Sequence, residues 1–207
     1  MINLLIHIKE KVKPFWSIIE WINAGLIKIL YHSKIKSALS QSIQQQTIED
    51  YHIRLLTKSD IDSLSILIKN QDPAQLKYFE PHNFDHKSLE KIFRNPSFFR
   101  MGAFFDTHLV GYFFLRCFAN KKCFVGRLVD KDHRRKGIGE AMNQIMYYTA
   151  WDSGFRCFAT ISKNNELVMK AHAKNDRMEI LKELSNEHLL VEFVEKDTST
   201  EQTTQGS

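Results

Sequence analysis

The N-terminal third of this chain has no apolar run long enough to cross a bilayer. Its charge-free stretches, among them Pro14–Ile19 and Trp21–Ile27, all fall short of the roughly 20 predominantly apolar residues a helical span needs. Lys9, Lys11 and Lys13 interrupt the apolar character and no small-residue cleavage site follows cleanly, so a signal peptide fits poorly and is not expected. Proline (4) and glycine (8) are scarce among 207 residues, so neither a collagen-like repeat nor a long low-complexity linker fits. The three cysteines, Cys117, Cys123 and Cys157, are odd in number and contain no Cys-x-x-Cys pair. That excludes a disulfide framework and a zinc knuckle, and no metal site is expected. The thiols read as reduced core residues of a cytoplasmic protein.

Charge is unevenly distributed. Residues 1–48 hold six lysines against Glu10 and Glu20, while the remaining 159 residues hold 23 basic and 22 acidic groups. A nearly neutral body lacks the basic face of a nucleic-acid-binding domain, so no nucleic-acid partner is expected. In the N-terminal segment Leu5, Ile8, Val12, Phe15, Trp16, Ile19, Ile22, Leu26, Ile29 and Leu30 recur at helical spacing. Pro14 interrupts the pattern, which predicts helices over roughly 3–12 and 15–39, with Ser40–Gln46 as a linker. This amphipathic extension (1–46) fits two roles. It packs on the main domain or on a second subunit of a homodimer, or residues 1–39 lie on the anionic inner face of a membrane. The polar tail 197–207 is expected to be disordered.

Residues 47–196 read as one domain. Tyr51–Thr57 suggests a strand, Ser59 to about Asn70 a helix, and Ser88–Phe93 a short helix after the irregular, aromatic stretch 71–86. Phe98–Phe105, Leu109–Phe118 and Cys123–Val129 are apolar runs separated by turn residues, an antiparallel meander covered on both faces. A helix from Gly139 to about Asp152 follows, with Gly154 as its C-cap. Then come a strand (Phe155–Ile161), a helix (Asn164–Lys174) and two strands (Glu179–Leu184, Leu189–Val194).

Between the third meander strand and the long helix stands Arg134-Arg-Lys-Gly-Ile-Gly139. Such a strand, Arg-x-x-Gly-x-Gly turn and helix aims free backbone N–H groups and the positive end of the helix dipole at one point. A phosphate or pyrophosphate is the natural guest. The pattern is neither a P-loop nor a dinucleotide fingerprint, since it lacks the Gly-Lys-Ser/Thr ending and the third glycine.

The run Leu128-Val-Asp-Lys-Asp-His-Arg-Arg-Lys-Gly-Ile-Gly139 resembles motif A of the GNAT N-acetyltransferases, and the likeness extends from about Tyr51 to Val194. The resemblance implies an α/β (α+β) fold with a mixed, mostly antiparallel central sheet flanked by helices. The sheet splits between its fourth and fifth strands, and acetyl-CoA sits in the split as cosubstrate. By resemblance Leu128 and Val129 offer backbone groups to the pantetheine arm and thioester, while Arg134, Arg135, Lys136, Gly137, Ile138, Gly139 and Glu140 form the pyrophosphate turn. Asn165 matches the family's following helix, as does Lys174. His172 stands where the family often has the tyrosine that protonates the departing thiolate, although Asp176 and Arg177 replace the usual Gly-Phe. A histidine can act as that acid or simply pack. Glu80, His82 and Asp85 border the expected acceptor side, with Glu80 the favoured base, whereas Asp130 is expected to shape the turn.

The implied reaction is direct attack of a small-molecule amine on the thioester. Aromatic residues at 78–84 suit stacking on a sugar or nucleobase, or anchoring of their own loop. Likeness to bacterial acetyltransferases of surface-polysaccharide synthesis suggests a nucleotide-linked amino sugar. Two other classes stay open: an acyl-CoA-binding protein without turnover, and an adaptor working through its N-terminal helices.

Overall fold

The structure, a computed structural model, describes residues 13–79, 81–172, 175–185 and 187–196. The expected helix over 3–12 and the tail 197–207 lie outside the described residues. Two helices open the chain, α1 (Lys13–Leu30) and α2 (His32–Gln44). There follow β1 (Tyr51–Leu55), α3 (Ile61–Lys69), the single turn α4 (Pro73–Leu76), α5 (His86–Phe93), β2 (Phe98–Phe105), β3 (His108–Cys117) and β4 (Lys122–Val129). The chain continues through α6 (Ile138–Asp152), β5 (Arg156–Ser162), α7 (Glu166–His172), β6 (Met178–Leu184) and β7 (His188–Phe193).

The seven strands form one mixed sheet in the order β1-β2-β3-β4-β5-β7-β6. Every neighbouring pair is antiparallel except β4–β5. Each face buries its own core, as the near-continuous apolar strands require. On one face Ile35 and Leu39 of α2 and Met142 and Tyr147 of α6 cover Met101, Phe113, Leu115 and Val125. On the other, Leu64 and Leu67 of α3 and Leu89 of α5 cover Phe98, Phe104, Tyr112 and Phe114.

The register of β2 against β3 shifts at Ala103/Phe104, where Gly111 and Leu109 face successive residues and Val110 is the extra one. This bulge re-aims the strand and breaks strict alternation. Gly154 ends α6 with φ of 81°, and the N–H of Phe155 reaches back to the carbonyl of Ala150 at 2.7 Å, a Schellman closure. Cys117, Cys123 and Cys157 are buried free thiols on three adjacent strands, and burial pushes the Cys123 and Cys157 pKa values up.

One expectation is corrected. Ser40–Gln46 is not a linker, because α2 runs on to Gln44. Ile35, Ala38, Leu39 and Ser42 are buried, and the Ser42 hydroxyl satisfies itself on the Ala38 carbonyl at 2.9 Å. The polar Ser/Gln composition hides an inward stripe at helical spacing. Helix α1 is fastened by its inner side: Asn23 bonds both the Cys117 carbonyl (3.1 Å) and the Ala119 N–H (2.9 Å), and Glu20 pairs with Arg116 at 2.8 Å.

Candidate active site

Strands β4 and β5 run side by side only from Lys122/Arg156 to Phe124/Phe158 and then diverge. The opening between them continues under α6 as a cleft of about 720 Å³. Its walls are Val125–Val129 of β4, Ala159–Ser162 of β5, the first turn of α6, Asn164–Glu166 and the aromatic pair Tyr78 and Phe79.

Strand pairing dictates what the cleft meets. The N–H of Asp130 bonds the Val110 carbonyl and the N–H of Phe118 the Lys122 carbonyl, both at 2.8 Å. In an antiparallel ladder alternate residues turn their backbone to the same side. The even-numbered residues of β4, Leu128 among them, are therefore committed to β3, so the backbone role expected of Leu128 is corrected: its N–H and carbonyl face β3 and not the cleft. Val125, Arg127 and Val129 turn theirs toward the gap left by β5.

The turn into α6 supplies a second set of donors. Arg135 has φ of 60° and Gly137 φ of 80°, left-handed geometry that glycine adopts without strain. Gly137 caps α6 without a side-chain bond, and its carbonyl takes the N–H groups of Glu140 (3.0 Å) and Ala141 (3.1 Å). The N–H groups of Gly137, Ile138 and Gly139 have no acceptor among the described residues. They lie at the positive end of a 15-residue helix. Arg134 closes the turn, its Nε donating to the Val129 carbonyl at 3.2 Å. Asp130 shapes it from outside, accepting the Asp132 N–H (2.9 Å) and the Gln71 amide (3.2 Å).

Of the residues singled out from the sequence, Leu128, Val129, Arg134, Arg135, Gly137, Gly139, Glu140 and Asn165 come together around this cleft. Two do not face it with their side chains. Lys136 is exposed outside the lining, and Ile138 is buried in the core and is likewise not part of the lining. Asn165 also accepts the Val168 N–H at 3.2 Å, holding the start of α7. Glu80 and Lys174 lie outside the described residues. His172 is the last residue of α7, and its side chain is likewise outside what is described.

His82 is not a solvated loop base. Its Nδ1 lies 2.9 Å from the Asn83 carbonyl, which can only accept, so Nδ1 carries the proton. Nε2 then accepts the hydroxyl of fully buried Tyr112 at 3.0 Å. Burial lowers the His82 pKa and raises that of Tyr112. Phe79 and Phe84 pack with this pair as anchors of the 78–84 loop, and Phe79 also reaches the cleft. The sequence reading missed Arg127, Asn143, Tyr147 and Thr160, which all line the cleft. The only signal was the charge at Arg127 inside the apolar run Cys123–Val129.

The sequence matches the Acetyltransferase (GNAT) family over residues 65–176. No curated protein matches. Among solved structures the chain is similar to the PaiA N-acetyltransferase of Thermoplasma acidophilum in complex with coenzyme A, with 18% identity over 69% of this chain and 97% of that one and a TM-score of 0.59. It is also similar to the ribosomal-protein-S5-alanine acetyltransferase of Vibrio fischeri (16% identity, 71% and 94% covered, TM-score 0.57). A third is YncA of Salmonella typhimurium with its cofactor acetyl-CoA (15% identity, 73% and 97% covered, TM-score 0.55). At these identities the likeness is one of fold.

Proposed function

The chain belongs to the GNAT acetyltransferase family, and we propose that it is an N-acetyltransferase moving the acetyl group of acetyl-CoA to the amine of a small molecule, a nucleotide-linked amino sugar. The observation that carries this reading is the pairing of two donor sets on one cleft. Free N–H groups at 137–139 suit a pyrophosphate, and the β4 backbone at Val125, Arg127 and Val129 suits an extended amide-bearing arm. Acetyl-CoA supplies the activated acyl group.

The chain supplies the rest. The β4 amides polarise the carbonyl under attack, donors fixed before the reaction begins. The cleft holds amine and thioester in line, so most of the acceleration is positioning. By its place in the family motif His172 donates a proton to the departing sulfur, and Glu80 removes one from the amine. Tyr78 and Phe79 on the cleft wall favour an acceptor with a flat ring to stack on. The test is release of free thiol from acetyl-CoA across an amine panel led by nucleotide-linked amino sugars. Turnover with those amines is expected. Tight acetyl-CoA binding with no thiol release from any amine would make the protein a binder without turnover.

A second reading concerns location at the inner face of the membrane. No described helix is long and apolar enough to cross a membrane. Yet α1 turns an apolar face outward, with Trp21 77% and Ile29 79% exposed beside Ile18, Ile22 and Leu26. The only acid in α1, Glu20, is spent on Arg116, and none follows before Glu49, while Lys28, Lys34 and Lys36 are exposed. Apolar face, tryptophan and unopposed lysines together suit an anionic lipid surface. Co-sedimentation with phosphatidylglycerol vesicles should exceed that with phosphatidylcholine alone, and Trp21→Glu should abolish it. A dimer in solution that Trp21→Glu dissociates, with no vesicle binding, would make this face a subunit contact instead.

A further inference from the structure

Arg127 is the only charged residue between Cys123 and Val129. Its side chain lies on the α6 face of the sheet and enters the cleft. Nε donates to the Asn143 side-chain oxygen at 2.7 Å, which anchors one edge of the guanidinium and frees the other. A Cβ added to Gly139 would stand 2.8 Å from Nη1, so the guanidinium occupies the space beside the first turn of α6. None of the ion pairs among the described residues includes Arg127. Burial pulls its pKa down, with Tyr147 and Glu140 opposing.

This is an uncomfortable arrangement for the protein alone. A half-buried cation with no carboxylate in ion-pair contact, only the charge of Glu140 acting from farther off, is pressed against the end of a helix that already carries positive potential. An anion in the cleft would relieve both at once. The fork geometry of a guanidinium suits two oxygens of a phosphate group.

We propose that Arg127 is a phosphoanhydride ligand, its Nη edge gripping the pyrophosphate of the CoA cosubstrate from beneath while the 137–139 amides hold it at the helix end. Asn143 is the positioning residue that aims the fork. Gly139 then serves a purpose distinct from that of Gly137. Gly137 is required by its left-handed backbone, whereas Gly139 makes room for the guanidinium. The inference rests on the acetyl-CoA reading of the cleft, but it names a residue outside the Arg-x-x-Gly-x-Gly turn.

The test is calorimetric titration of wild type, Arg127→Met, Arg127→Lys and Asn143→Ala with acetyl-CoA, S-acetyl-pantetheine and inorganic pyrophosphate. Arg127→Met should weaken acetyl-CoA and pyrophosphate about 30- to 100-fold, the loss of charge-assisted hydrogen bonds. It should leave S-acetyl-pantetheine, which has no phosphate, unchanged. Arg127→Lys should recover part of the loss, since charge remains and the fork is gone. Asn143→Ala should fall in between and stands in if Arg127→Met does not fold. Equal acetyl-CoA affinity in wild type and Arg127→Met overturns the assignment, as does an equal loss for S-acetyl-pantetheine. Arg127-dependent pyrophosphate binding in a wild type that ignores acetyl-CoA would uphold the anion site and overturn only the acetyltransferase reading.

Discussion

A Gly139→Asp variant should fold as well as the wild type and lose at least 100-fold in acetyl-CoA affinity. The new Cβ would stand 2.8 Å from Nη1 of Arg127, and the contacts nearest it all belong to that one guanidinium. The obstacle is the far end of a long side chain, which can shift, and the backbone at Gly139 is right-handed helix rather than the left-handed geometry of Gly137. The introduced carboxylate then pairs with Arg127 and sits in the first turn of α6, where negative charge gains typically 0.3–1 kcal/mol. The variant carries its own anion in the place of the ligand's. Thermal unfolding checks this. Acetyl-CoA at about 100 times its dissociation constant should stabilise the wild type by about 2.7 kcal/mol, raising its midpoint by roughly 5–10 °C. The variant's midpoint should rise by no more than about 2 °C at the same concentration. A full shift in the variant would remove the α6 turn from the binding site.

How far the sequence reveals this site depends on which interactions are local. The Arg134–Gly139 turn was legible because its chemistry is written in consecutive residues: φ values of 60° and 80° within three positions, then a helix start. The meander was legible for the same reason, since Asp106, Asn120 and Lys121 mark its turns and its runs match β2, β3 and β4 to within a residue or so. Contacts made across the chain left no such trace. Arg127 meets Asn143 and Gly139 only once β4 and α6 have packed. His82 meets Tyr112 across 30 residues, and that bond changes a candidate base into a satisfied, half-buried imidazole. The Ser/Gln run at 40–46 misled because composition suggested solvent, while Ser42 lies one turn beyond Ala38 on the buried stripe of α2. The bulge opposite Ala103/Phe104 likewise blurred the alternation of β3. The split between β4 and β5 was expected from the family resemblance alone, because which strands pair, and over what length, is a contact across the chain.

Phe113→Ala should show the opposite pattern, a large loss of stability with acetyl-CoA binding intact. Phe113 is fully buried at the middle of β3, opposite Met101 on one side and Arg127 on the other, in the core that α2 and α6 cover. Truncating a buried phenylalanine costs about 3–5 kcal/mol, because the lost apolar burial is compounded by a cavity that close-packed neighbours fill only in part. In a chain of this size that lowers the unfolding midpoint by about 10 °C or more. The groups proposed to hold the cosubstrate are backbone amides of β4 and of the α6 turn together with the Nη edge of Arg127, and none of these is supplied by Phe113. The acetyl-CoA-induced rise should therefore persist from the lower baseline. Phe113→Leu, which keeps most of the volume, should lose less than about 1.5 kcal/mol. A Phe113→Ala protein within about 3 °C of wild type would contradict the packing between sheet and α6. One that loses both stability and the ligand shift would mean that the guanidinium of Arg127 depends on the ring beside it, coupling the core directly to the cleft.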